Sequence, residues 1–558
     1  MARRRARGDM VAIELVPGAE LPPDEGDAGG PDAPDVPRSR LRDTLRRVPR
    51  RRVIAAAAVA ALALGAGVGV VAVRDHRVAA RLATASGGVV ALDHAPRARW
   101  RVELDHPRPV AVMRGLLVVA AQPADVSEGT DGITLEGVSL TDGRARWTTT
   151  VPGALTCGGG SALAEPHQDR VGTADELVCV TGTALDHVVV VGSDGTVTST
   201  RPIEGRGADE TLFPAPDGTL LRVEQDGSPS SVPGLRDGVL PYTLDGPLVT
   251  RGAQVSLEDA VTGGTVWQAV LEGRTAPAGT ALWDAGFCLT GTGEDASLHL
   301  DLDTSPHVEL GARTVWVAAC GLDATLDLAT GALLHGKNPF APGYRLWNRA
   351  VQPLDGVGYA VELTDDAVPG GSGDVTSRLF RDDGTVVGDV PGAADNPWAS
   401  DGTPATVVLT HRVAALSAFD AQSAAERWTT RVVAGTPLLA RTASTVLLVS
   451  GDELVALDAR TGRTRWKNPF WESDPDLGAS AQTGPAAIFD VLTDGRRAVL
   501  VETLPDETGA PSAPNLRWTA FDLATGHVAW TATSTEGWPA AIAGHLVRLD
   551  PDAVVGLG

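Results

Sequence analysis

The sequence predicts an all-β fold assembled from copies of one hairpin unit. Three observations predict it. The stretch Phe521-Asp522-Leu523-Ala524-Thr525-Gly526-His527-Val528-Ala529-Trp530 reads as apolar residue, Asp, turn ending in Thr-Gly, strand alternation and Trp, and the same register recurs along the chain. Short β-branched runs bounded by Gly, Asp or Pro follow residue 85: Gly88–Leu92, Leu116–Ala120, His187–Val191, Thr445–Val449 and Ala498–Val501. No long amphipathic helical period occurs after residue 100.

The unit has a physical reading as a hairpin. One strand ends at Phe521. Asp522 folds its carboxylate back onto backbone N–H groups in an Asx-type turn. Gly526 supplies the positive φ of a tight reversal, which a Cβ resists. Strand period then brings in Trp530, a large side chain for a neighbouring sheet.

Asp458 with Thr461-Gly462 leads to Trp466, and Asp259 with Thr262-Gly263 leads to Trp267. Asp420 leads to Trp428 with Ser423-Ala424 replacing Thr-Gly, and Asp327 with Thr330-Gly331 leads to His335. Asp93 before Trp100 is one residue shorter, and Asp142-Gly143 before Trp147 is a contracted form. Asp194-Gly195-Thr196 and Asp383-Gly384-Thr385 keep only the turn. The Asp positions 93, 142, 194, 259, 327, 383, 420, 458 and 522 lie 37 to 68 residues apart, which suits four-stranded units with inserted loops.

The run Ala456-Leu457-Asp458-Ala459-Arg460-Thr461-Gly462-Arg463-Thr464-Arg465-Trp466 resembles the core of the pyrroloquinoline quinone (PQQ)-type repeat family, Ala-Leu-Asp-x-x-Thr-Gly-x-x-x-Trp. The resemblance covers roughly residues 85–558. It implies a β-propeller of about eight four-stranded blades, or seven if the weak turns at Asp194 and Asp383 mark no blade. It also implies that the repeat tryptophans Trp147, Trp267, Trp428, Trp466 and Trp530 dock between adjacent blades. The strands His545–Leu549 and Ala553–Leu557 are two short of a blade. Gly88–Leu92 and Ala98–Leu104 are expected to complete it and to close the ring.

Ahead of the repeats, residues 1–52 hold twelve Arg and nine acidic residues, with many Pro and Gly, and read as a disordered tail of net charge +3. Residues 53–73 carry no polar side chain, long enough for a helix across a ~30 Å hydrocarbon core. The arginines before it place the N-terminus in the cytoplasm. The expectation is an uncleaved signal anchor at the plasma membrane, a stalk at 74–85 and an extracytoplasmic propeller at 86–558. Gly65 and Gly69, four apart, would let two such helices approach closely as a homodimer contact. Residues 53–558 carry a net formal charge of −26, which the +3 tail brings to −23 for the whole chain, and this acidity disfavours nucleic acid as a partner. Only Lys337 and Lys467 are lysines among 47 basic residues.

Cys157, Cys179, Cys288 and Cys320 all follow the apolar segment. An even count on an oxidising side favours disulfides. Three pairings are open; proximity in sequence favours Cys157–Cys179 and Cys288–Cys320, each stabilising by about 3–4 kcal/mol on the entropic model. Cys-x-x-Cys and Cys-His metal spacings are missing, as are His-Glu-x-x-His, a P-loop and a Gly-x-Ser-x-Gly elbow. Quinoprotein alcohol dehydrogenases of the resembled family hold PQQ against a disulfide of adjacent cysteines, with a Trp floor and calcium. This chain has no adjacent cysteines. The expectation is therefore a non-enzymatic scaffold or ligand-sensing domain without cofactor or metal, with a PQQ-dependent oxidoreductase as the alternative. Lys337-Asn338-Pro339-Phe340 and Lys467-Asn468-Pro469-Phe470 each follow a repeat hairpin and read first as shared repeat ancestry; the alternative is a paired loop on one face, near Tyr344–Trp347 and Trp471, as a partner-binding surface.

Overall fold

The computed structural model describes residues 75–558 outside 122–131, 154, 159–172, 183–184, 205–209, 228–233, 237–241, 283–287, 291–298, 301–304, 311–312, 337–339, 341–350, 355–356, 364–374, 382, 434–435, 470–487 and 505–514. The tail at 1–52, the apolar run at 53–73 and the Gly65/Gly69 pair lie outside the described residues. Among the described residues no helix is long and apolar enough to cross a membrane.

The chain is all-β after one short helix at 75–82. Among the described residues nine antiparallel four-stranded units follow one another as propeller blades, the seventh sheet extended by a two-residue parallel strand, Ala399–Ser400. Blade 1 spans residues 108–151, blade 2 spans 155–202, blade 3 spans 210–271, blade 4 spans 307–336 and blade 5 spans 351–391. Blades 6, 7 and 8 span 393–431, 438–469 and 488–534. Blade 9 takes Trp538–Ile542, His545–Asp550 and Ala553–Leu557 from the end of the chain and Ala98–Glu103 from its start. The expected count of eight, with seven behind it, is corrected to nine. Each of the nine Asp positions marks a blade, including the weak turns at Asp194 and Asp383.

Ring closure also differs in detail. Three strands come from the C-terminus and one from the N-terminus, rather than two and two. Trp538–Ile542 is the missing inner strand; its Pro539 and flanking glycine hid it from a propensity reading. Ala98–Glu103 pairs antiparallel with Ala553–Leu557. Arg101 ties this join with ion pairs to Asp550 at 2.7 Å and Asp552 at 2.9 Å. Gly88 and Val89 do not form a blade strand but make isolated parallel bridges to Thr493 and Gly544. The segment read as a stalk includes the 75–82 helix, whose Leu82 is fully buried.

Burial follows the order of strands in each blade. Middle strands such as Thr445–Ser450 are buried on both faces, whereas rim strands such as Thr464–Pro469 alternate between exposed and half-buried. Apolar clusters form across the gaps between blades: one joins Leu409, Leu416 and Trp428 of blade 6 to Leu438, Leu448 and Leu457 of blade 7. Eight of the nine seams carry such a shared cluster among the described residues. Full burial of each Leu stabilises by roughly 2 kcal/mol.

Both disulfides follow the proximity pairing. Cys157–Cys179 links facing residues of neighbouring strands in blade 2. Cys288–Cys320 ties the insertion after blade 3 to a turn of blade 4, within a cluster that also buries Phe340.

The paired-loop alternative does not hold for Lys467–Pro469, which lie in a strand. Thr464–Pro469 is the rim strand of blade 7, with Lys467 bonded to Glu453 at 2.6 Å. Residues 337–339, 344–347, 470 and 471 lie outside the described residues.

Gly526 has φ +76°, and a Cβ there would sit 2.6 Å from the Trp466 ring. Gly279 has φ +82° with nothing within 4 Å of such a Cβ. Gly279→Ala therefore costs only backbone strain, about 1 kcal/mol, whereas Gly526→Ala adds a steric clash and should cost about 2–4 kcal/mol. Denaturant unfolding of both variants checks this; equal losses would contradict the close approach.

Candidate functional site

The repeat residues converge on the seams between blades. In each full turn the Asp carboxylate accepts two bonds from the Thr three residues later. Asp458 Oδ1 takes the Thr461 N–H at 3.0 Å and its hydroxyl at 2.9 Å, and Asp522 takes both from Thr525 at 3.0 Å. Asp259 and Asp327 do the same with Thr262 and Thr330, and Asp420 with Ser423. The N–H of the fifth residue then donates to the Asp carbonyl, 2.8 Å from Gly263, Gly331, Ala424 and Gly462 and 2.7 Å from Gly526. Arg427 and Ser423 hold the Asp420 carboxyl well below the usual carboxylate range, and Arg465 and Thr461 do so for Asp458.

The indole of each repeat lies against the turn glycine of the following blade. Its N–H donates to a backbone carbonyl beside that turn's Asp. Trp147 reaches Ser193 O at 3.1 Å, Trp267 Leu328 O at 2.8 Å, Trp428 Ala459 O at 3.0 Å and Trp466 Leu523 O at 3.0 Å. Trp530 reaches Leu92 O at 2.8 Å, so the N-terminal segment supplies the acceptor where the ring closes. Gly195, Gly331, Gly462 and Gly526 pack on Trp147, Trp267, Trp428 and Trp466, and Gly143 packs on Trp100.

Three seams depart from this plan. At blades 2 and 3 the dock is a guanidinium. Arg201 Nε donates to Ala260 O at 2.8 Å, and Gly263 lies against the guanidinium as other glycines lie against indoles. Arg201 belongs to a charge chain with Glu258 at 3.2 Å, which pairs with Arg222 at 3.2 Å, which pairs with Glu210 at 2.5 Å. The Glu210 side chain is fully buried, so removing one member would strand a buried charge. At blades 4 and 5 His335 stands at the Trp register of blade 4, and blade 5 carries a stacked Tyr359–Phe380 pair. At blades 5 and 6 both positions are small: Gly388 stands at the Trp register and Ala424 at the glycine position, and a Cβ on Gly388 would meet that of Ala424. The sequence signal for Arg201 was thin: blade 2 keeps the turn yet has Ser199 at the indole register.

Two carboxyls missed by sequence reasoning lie on first strands. Asp395 on blade 6 lines a small cleft of about 10 Å³, room for about one water, with Leu354, Val357 and Arg441. Although about a third of its side chain reaches solvent, burial pushes its carboxyl up to about 6. His411 stands 3.8 Å away, but burial holds it below the usual histidine range, so the pair is not an ion pair at pH 7. Asp490 on blade 8 is pushed up to about 7 by burial, while the Val491 N–H it accepts at 2.7 Å opposes the shift.

The described residues do not form a quinone site of the dehydrogenase type. Both disulfides join cysteines distant in sequence. The docked indoles stand in seams with their N–H groups on backbone. No cluster of three metal-ligating side chains occurs among the described residues.

Burial pushes the Asp490 carboxyl up to about 7, above an unfolded Asp, so the folded state binds the proton more tightly. Stability falls as pH rises from about 4 through 7. Asp490→Asn keeps the acceptor and removes the charge. It should stabilise by on the order of 1–3 kcal/mol at pH 8 and by nothing at pH 4, read by denaturant unfolding; an equal change at both pH values would contradict the assignment.

Comparison with known proteins bears on the second half of the ring. Residues 343–552, which contain blades 5 to 8 and the first two strands of blade 9, match the PQQ-type family described as outer membrane protein assembly factor BamB. No curated protein matches the chain. Among solved structures, BamB from Moraxella catarrhalis is 14% identical with a TM-score of 0.36, over 83% of this chain and 97% of that one. Quinohemoprotein alcohol dehydrogenase from Comamonas testosteroni is 12% identical with a TM-score of 0.34, over 83% and 76%. The WD40 domain of SCAP from fission yeast is 7% identical with a TM-score of 0.30, over 84% and 98%. The PQQ-type repeat that the sequence motif implies is therefore matched over residues 343–552.

Proposed function

We propose that the protein is a membrane-tethered, extracytoplasmic propeller that works as a protein-interaction scaffold rather than as an enzyme. The observation that carries this reading is how the chemistry-bearing side chains are used. Repeat Asp and Thr groups close turns, docked indoles bond to backbone across seams, and all four cysteines are in disulfides. A rigid ring with its reactive groups so committed offers its loops for binding. Two disulfides favour an oxidising compartment, and the arginine-flanked apolar run at 53–73 favours a tether with its N-terminus in the cytoplasm.

Two measurements on the full chain test this. Reporter fusions should place residue 558 outside the cytoplasm and residue 1 inside; both ends on one side would refute the tether. Titrating detergent-purified protein with PQQ and calcium should leave no stoichiometric quinone absorbance after desalting; a retained quinone would favour the oxidoreductase.

A further inference from the structure

The first strands of blades 7, 8 and 9 are covered by other parts of the chain. Ala399–Ser400 runs parallel to Ala440 and Arg441 at the end of the first strand of blade 7. The Ser400 N–H donates to Ser86 O at 2.7 Å, and the Ser86 hydroxyl donates to Trp398 O at 2.8 Å. Thr493, at the end of the first strand of blade 8, gives its N–H to Gly87 O at 2.8 Å and accepts the Val89 N–H at 2.9 Å. The Val90 N–H donates to Gly544 O of blade 9 at 2.9 Å. Leu82, Val89 and Leu92 are buried, and Val89 and Leu92 share a cluster with Leu492 and Leu546. One segment thus spans three blades and ends at the carbonyl that receives the Trp530 indole.

Its hold differs in kind from that of the terminal strand. Ala98–Glu103 has a continuous ladder and the Arg101 ion pairs. Residues 82–92 have single bridges, and the helix before them is too short to be stable alone. Bonds scattered over three blades open with less cooperativity than a continuous ladder.

We propose that residues 82–92 form a releasable strap, which detaches from blades 7 to 9 while the terminal strand Ala98–Glu103 stays paired. Release frees the N–H of Ser400, both backbone groups of Thr493 and the Gly544 carbonyl beside the apolar bed of Leu492 and Leu546. That bed takes an extended apolar segment, and its occupant in this structure is the chain's own strap.

Hydrogen exchange on the full chain tests the release. The Val89, Val90, Ser400 and Thr493 amides should exchange as a group, at least tenfold faster than the ladder between 98–103 and 553–557. Exchange of both sets at one rate would overturn the proposal. Val89→Pro removes the N–H bonded to Thr493 and should let a fluorescent peptide of residues 80–94 bind, whereas the parent chain binds it at least tenfold more weakly. A folded Val89→Pro chain with no gain in peptide binding would overturn the occupant. If that variant does not fold, Ser86→Ala serves: its Ser400 amide should exchange severalfold faster, and an unchanged rate would count against the strap.

Discussion

Trp466 lies against Gly526 of the next blade and gives its N–H to the Leu523 carbonyl. The geometry of this contact constrains both partners. The indole needs a surface without a Cβ, and the turn needs positive φ at the same residue. Glycine meets both demands at once. The hydrogen bond then lets a polar N–H enter an otherwise apolar seam without an unmet donor. Because the acceptor is backbone beside an Asx-capped turn, the Asp, Thr, Gly and Trp of the repeat act together. The Asp and Thr shape the turn, the glycine lets the neighbouring ring approach, and the Trp locks it.

The seams that break the pattern show what the contact supplies. Arg201 replaces the indole with another flat, N–H-bearing group and still reaches the equivalent carbonyl. Its partners Glu258, Arg222 and Glu210 compensate one another's burial. Between blades 5 and 6 the lost Trp is matched by a lost glycine, as Gly388 faces Ala424. Small residues stand on both sides of this seam, so the two blades meet there without an indole between them. Closure obeys the same logic, since the Trp530 acceptor comes from Leu92, at the other end of the described chain.

Much of this was legible in the sequence because the repeat is a local rule. Asp458 to Trp466 fixes a turn, a strand and a docking side chain within nine residues. The disulfide pairing followed from proximity, since Cys157 and Cys179 fall on adjacent strands of one blade. Blade number was less legible because blades 2 and 5 keep the turn but lack the Trp, and their seams are filled by residues no motif contains. The closing strand Trp538–Ile542 carries no repeat turn, and its Pro539 argues against a strand in isolation. Asp395 and Asp490 were invisible because their perturbation comes from long-range burial rather than from neighbours in sequence. The functional reading is thin for a related reason: the conspicuous residues serve the ring, and the sequence signal fades in the loops.

The most direct test of the indole lock is the exchange of indole N–H protons with water, followed by NMR on tryptophan-labelled protein. Trp147, Trp267, Trp428 and Trp466 are predicted to exchange at least a hundredfold slower than free indole, and together, while Trp530, whose acceptor Leu92 lies on the strap, exchanges faster than these four. Exchange of the four at the free-indole rate would contradict the account, because the blades would then be held by something other than the docked tryptophans.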